Sequence, residues 1–166
     1  MQLTLRDSVH LLSDPENLNA SVSEVFESML GIKCEQVQLD GVPESAIEAG
    51  ELVTAVVGFG GILSGACVVT CDGATARQIA GLMTGMEFHV VYETVKDGIG
   101  ELCNMLAGAW KSKIPGLAAK CGLSLPAVIT GRDYKLHVQA PEFRIHHCYR
   151  SGEARFQLTV VCDGIA

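Results

Sequence analysis

A chain of 166 residues with a formal net charge of −7 is long enough to bury a core without cross-links. Its charge has the wrong sign to grip nucleic acid or an anionic membrane, which leaves proteins and small molecules as the expected partners. The seven cysteines, at positions 34, 67, 71, 103, 121, 148 and 162, form no Cys-x-x-Cys pair and are odd in number; this argues against a disulfide framework and for buried thiols in a reducing cytoplasm.

In chain order, the opening Met-Gln-Leu-Thr-Leu-Arg-Asp lacks the basic-then-apolar run of a signal peptide. Asn17 or Asn19 caps an amphipathic helix that runs to about Leu30, with Val22, Val25, Phe26, Met29 and Leu30 on its inner face and Gly31 as its stop. Residues 33–39 alternate as a strand, and Gly41-Val-Pro43 breaks the chain. Leu52 to Cys71 then holds no charged residue over 20 positions, close to the length of a membrane-spanning helix. Its glycines at 58, 60, 61 and 65, its threonines and its many valines predict instead two buried strands, about 51–59 and 62–71, joined by a Gly-rich turn. Asp72 precedes a helix over about 74–84 that ends at Gly85.

A longer helix follows. Thr94-Val-Lys-Asp97 has the form of a capping box, although a start near Val90 fits equally, and Pro115-Gly116 ends it. At about 100° per residue, Glu101, Asn104, Gly108 and Lys111 all fall within about 40° of Asp97. Ile99, Leu102, Leu106, Ala109 and Trp110 fall on the opposite side, the apolar stripe of a core-packed helix. Gly100, Ala107 and Gly108 are small enough beside this polar stripe to let another surface come close. The rest of the chain, about 126–131, 134–149 and 154–162, reads as strands, with Phe156, Leu158, Val160 and Cys162 on one face. The whole predicts a single α/β domain over residues 1–166, an antiparallel-rich sheet covered by the long helix and two further helices.

Other chemistry is weakly signalled. His146-His147-Cys148 contains good zinc ligands, but neighbours in a strand point to opposite faces, so the two histidines do not readily share an ion and no metal site is assigned. Gly58-Phe-Gly-Gly61 lacks the third glycine of a dinucleotide loop. Cys103 turns toward the buried side of its helix and reads as a packed thiol. Lys113 complements the helix C-terminal dipole, whereas Lys111 lies on the polar stripe and can meet a partner.

The spacing Asp97-x3-Glu101-x2-Asn104, followed 22 residues after the Asn by Pro126 in Ser124-Leu-Pro-Ala-Val128, resembles the signature of the CheC, CheX and FliY chemotaxis phosphatases. Glu101 to Ile114, through its Asn-Met-x-Ala-Gly and Lys-Ser-Lys elements, is most similar to the CheX branch. The segments Met29 to Ile32, Gly58 to Gly65 and Ala76 to Met83 agree, so that the likeness spans roughly residues 17–162. One copy of the motif is present, as the CheX branch requires; Glu16-x-x-Asn19 repeats its core but lacks the upstream Asp or Ser and directly follows Pro15.

The resemblance implies a CheC-like, CheX-type sandwich and a homodimer, acting on the aspartyl phosphate of a CheY-like response-regulator receiver. It further implies that Asn104 holds the attacking water, that Glu101 pairs with the receiver's active-site lysine, and that Asp97 supports them by capping or buttressing. Gly100, Gly108 and Lys111 then border the partner. The chain itself is expected to bind no cofactor, with Mg²⁺ carried by the receiver. The alternatives are a non-catalytic binding or assembly module of the same fold, as in FliM, and, with no specific signature in its favour, a small-molecule sensing domain using a pocket beneath the hairpin.

Overall fold

A computed structural model describes residues 5–38 and 50–166. After a short 3₁₀ turn and the helix α1 (Val9–Leu12), the helix α2 runs over Pro15–Glu24 and continues as a wider π-helical stretch over Val25–Leu30. The cap of α2 is neither Asn17 nor Asn19. Asp14 takes that place, its carboxylate accepting from the Glu16 N–H, with Pro15 in the first turn, where its missing N–H costs nothing. The π-helical turns rotate Met29 out of the inner face, leaving it 63% exposed, while Val22, Val25 and Phe26 are buried as expected. Gly31 ends the element in the left-handed conformation (φ 69°).

Among the described residues seven strands form one antiparallel sheet: β1 (Glu35–Val37), β2 (Leu52–Gly61), β3 (Leu63–Asp72), β4 (Cys121–Leu123), β5 (Ala127–Gly131), β6 (Phe143–Ser151) and β7 (Ala154–Ile165). The spatial order is β1-β6-β7-β3-β2, and the far edge of β2 divides between β5, paired from Leu52 to Val56, and β4, paired from Phe59 to Gly61. The charge-free stretch is the β2–β3 hairpin, paired from Leu52↔Asp72 to Phe59↔Gly65. Among the described residues no helix is long and apolar enough to cross a membrane. The expected break at Gly41-Val-Pro43 lies outside the described residues.

Helices α2, α3 (Gly73–Thr84) and α4 (Glu93–Ser112) cover one face of the sheet. Asp72 caps α3, accepting from the Thr75 N–H at 2.7 Å, and Gly85 ends it. The alternation in β2 sends Val53, Ala55, Val57 and Phe59 into the core, and β7 contributes Phe156, Leu158, Val160 and Cys162 to the same layer. Phe26 stacks on Phe156 at 5.3 Å between centroids, and Phe59 meets Trp110 of α4 at 5.3 Å.

Two expected elements differ. Residues 132–142 are not part of β6. They cross the other face of the sheet, tethered by the Tyr134 hydroxyl, which lies 2.6 Å from Thr54 Oγ1 and donates to the Ile129 carbonyl at 3.3 Å. The segment roofs a cavity of about 680 Å³ whose lining includes Thr70, Tyr134, His146 and Thr159. The capping box at Thr94 does not form either: α4 starts at Glu93 after Tyr92, one residue ahead of Thr94 and three residues past the alternative start near Val90.

Candidate functional site

Helix α4 owes its orientation to its apolar stripe. Val95, Ile99, Leu102, Leu106 and Trp110 are buried and fix the rotation of the helix over β2 and β3. The indole N–H of Trp110 finds no acceptor among the described residues, so this side chain contributes through packing. Cys103 is also fully buried, its thiol donating to the Cys67 carbonyl at 3.3 Å. Its neighbour Cys67, hydrogen-bonded to that thiol and buried, is held well above the usual thiol range, and burial pushes the Cys34 thiol up to about 12. Protonated, packed sulfurs of this kind are poor nucleophiles.

With that face locked, Asp97 and Glu101 project as exposed carboxylates and Asn104 is half-exposed. None of the three side chains makes a hydrogen bond or ion pair with another described residue. Glu101 and Asn104 lie one turn apart, a charged acceptor beside a neutral group that both donates and accepts. Asp97 sits past the first turn of α4, beyond the N–H groups that a cap serves.

The three residues expected to border a partner differ in their surroundings. Gly100 is buried, and a side chain there would meet the Pro126 ring at 3.2 Å and Val128 at 3.3 Å; the missing Cβ makes room for the chain itself. The Lys111 ammonium donates to the carbonyls of Ala118 (2.8 Å) and Cys121 (2.7 Å), tying the turn after α4 to the helix. Gly108 is half-buried, and a side chain there would graze only Leu123, at 4.0 Å. Lys113 pairs with Glu24 of α2.

What the sequence did not give is the role of the run joining β4 to β5, although it carries the signature proline. Ser124 is pinned on both sides to β2: its N–H donates to the Gly58 carbonyl at 2.9 Å and its hydroxyl accepts from the Gly58 N–H at 2.8 Å. That hydroxyl also donates to the Leu125 carbonyl at 3.0 Å. The signature proline, Pro126, is the residue packed on Gly100, so it supports the helix directly beneath Glu101.

The second Glu-x-x-Asn match has a different fate. The Asn19 carbonyl oxygen accepts from the Tyr149 hydroxyl at 2.7 Å and lies 3.2 Å from His147 Nδ1, and its amide donates to Gln36 at 3.0 Å. Both ends of this amide are engaged in joining α2 to β6 and to Gln36 of β1. The adjacent histidines point to opposite faces as strand geometry requires: His147 toward the helices, His146 to Thr159 (2.7 Å) on the side of the cavity. Among the described residues no cluster of His, Cys, Asp and Glu has the arrangement of a metal site.

The chain matches the family described as "Chemotaxis phosphatase CheX" over residues 53–148. It is 31% identical over 127 residues to "CheY-P phosphatase CheX" of Thermotoga maritima, covering 74% of this chain and 81% of that protein. The fold is similar to that of the chemotaxis protein CheX from Vibrio vulnificus, with a TM-score of 0.72 at 20% identity, covering 89% of this chain and 95% of that one. It is also similar to a chain of the CheX-CheY-BeF3-Mg²⁺ complex from Borrelia burgdorferi, with a TM-score of 0.69 at 19% identity, covering 90% and 98%.

Proposed function

We propose, from the premise that the chain belongs to the chemotaxis phosphatase CheX family, that it hydrolyses the aspartyl phosphate of a CheY-like receiver, with Asn104 and Glu101 as the working pair. The observation that carries this reading is the Asn104 amide, half-exposed and without a partner among the described residues, one turn from an equally unengaged Glu101 on a helix fixed by its buried face. Similarity to a chain solved together with CheY, BeF3 and Mg²⁺ supports the choice of substrate. The cytoplasmic location and the homodimer implied by the resemblance belong to the same proposal.

In this reading the amide enters the receiver's site. Its oxygen accepts from a water, and its NH₂ group donates alongside, holding the water in line with phosphorus. The water oxygen bonds to phosphorus as the bond from phosphorus to the aspartyl oxygen breaks, the electron pair leaves on the carboxylate, and the water's proton goes to solvent with inorganic phosphate as product. Asn suits the place because it stays neutral, where a carboxylate would repel the phosphoryl oxygens. Mg²⁺ belongs to the receiver substrate and offsets charge there. Glu101 pairs with the receiver's lysine and aligns the two proteins.

Purified CheY-type receivers charged with acetyl phosphate and Mg²⁺ provide the test. The wild-type protein should accelerate loss of phosphate, and Asn104→Ala should lower kcat by about 10²-fold while receiver affinity stays close to wild type. A folded Asn104→Ala protein, checked by circular dichroism, that kept wild-type kcat would overturn the catalytic assignment and leave the non-catalytic binding module as the reading.

A further inference from the structure

Leu125 is 90% exposed, the most exposed of the large hydrophobic residues among those described. Single exposed leucines are ordinary on protein surfaces and need no explanation. This one is set apart by where it is held and how firmly. Leu123 lies against Gly108, and Pro126 lies against Gly100. Those glycines are two turns apart on α4, about 12 Å of rise, and the three extended steps from Leu123 to Pro126 span about 10 Å. The segment therefore runs antiparallel along the edge of α4 on which Asn104 stands midway between the two glycines, and Leu125 comes level with the turn that carries Glu101 and Asn104.

Its posture is built. Ser124 is fixed to Gly58 by two hydrogen bonds, and its hydroxyl holds the Leu125 carbonyl. Pro126 restricts the residue before it to extended backbone and is itself wedged over Gly100. With Ser124 bonded to β2 and Pro126 seated on the helix, the leucine between them is left exposed. A bare leucine on a rigid mount loses little freedom when it is covered, which is the condition under which an apolar anchor contributes most to docking.

We infer that Leu125 is a docking residue for the phosphorylated receiver, an apolar contact that seats the partner while Glu101 meets its lysine and Asn104 enters its site. This rests on the function proposed above and adds to it the chemistry of the partner face: an apolar patch beside a lysine and an aspartyl phosphate. The acidic stripe of Asp97 and Glu101 flanks the leucine, so a partner face with that pairing of apolar and basic groups is complementary.

The experiment compares wild type, Leu125→Ser and Leu125→Met in steady-state dephosphorylation of an acetyl phosphate-charged CheY-type receiver, together with titration of a beryllofluoride- and Mg²⁺-charged receiver. Leu125→Ser should raise KM and the dissociation constant about tenfold, as loss of a buried leucine contact does, with kcat unchanged. Leu125→Met should stay near wild type, and the thermal midpoints of all three should coincide because the side chain is exposed in the free protein. Unchanged KM in Leu125→Ser, or a fall in kcat at constant KM, would overturn the inference while the catalytic reading stood. A wild-type protein inactive on every receiver tried would overturn both.

Discussion

Glu101 is a carboxylate that nothing among the described residues holds, so its cost of desolvation is met when a partner cation arrives. Replacing it by Gln keeps shape and hydrogen bonding and removes the charge. Glu101→Gln should therefore raise KM for the phosphorylated receiver several-fold to about tenfold, flatten the dependence of KM on ionic strength, and leave kcat near wild type; dephosphorylation rates across receiver concentration at two salt levels check this. Glu101 and Asn104 were legible in the sequence because their relative placement is a local matter of helical period. Gly100 and Lys111 lie almost as close to Asp97 on the same wheel, yet their surroundings were not legible. What Gly100 touches arrives from Pro126 and Val128, and what Lys111 touches arrives from Ala118 and Cys121, and a wheel contains no information about chain that folds back.

At the scale of the element, α4 is held by the side it hides. Leu106 is 1% exposed in the middle of that side. Leu106→Ala should destabilise the protein by about 2–5 kcal/mol, transfer and cavity terms together, seen as a lower denaturation midpoint with an unchanged slope. The β2–β3 hairpin, α3 and the inward row of β7 were equally readable, because each is long enough for its period to repeat and each ends on a residue with a specific conformational task, as at Asp72 and Gly85. The failures have local physical causes. β4 has three residues and no period to detect. Tyr134, Leu136 and Val138 alternate as a strand would, but the Tyr134 hydroxyl finds Thr54 across the sheet and the segment becomes a roof. The cap of α2 was missed because Asp14-Pro15 stands before the apolar repeat begins, and the π-helical turns beyond it alter the period on which the placement of Met29 depended.

For the whole molecule, the junction of α2 with the sheet passes through one titratable node, His147 with Asn19 and Tyr149. Burial lowers the His147 pKa from its ordinary 6.5, against a smaller opposing effect of Glu16. A histidine whose folded pKa is depressed contributes stability that is present above the unfolded value and is lost as pH falls through it, since the unfolded chain takes up the proton first. Between pH 7.5 and 5 the thermal midpoint of the wild type should thus fall by more than that of His147→Gln, and parallel curves for the two proteins would remove the node from the pH response. Sheet order is the level at which least was legible, since pairing between distant strands leaves no trace in local pattern, whereas the inward row of β7 followed from alternation alone. The seating of Pro126 on Gly100 has a last consequence, for the interval of the signature. From Asn104 the chain runs out along α4, turns where Lys111 clasps Ala118 and Cys121, and returns to lay Leu123 on Gly108 and Pro126 on Gly100. The 22 residues are a closed circuit whose outward and homeward lengths must agree. One residue inserted or deleted along it would turn Leu123 from inward to outward or unseat the proline, so this stretch tolerates substitution far better than any change of length.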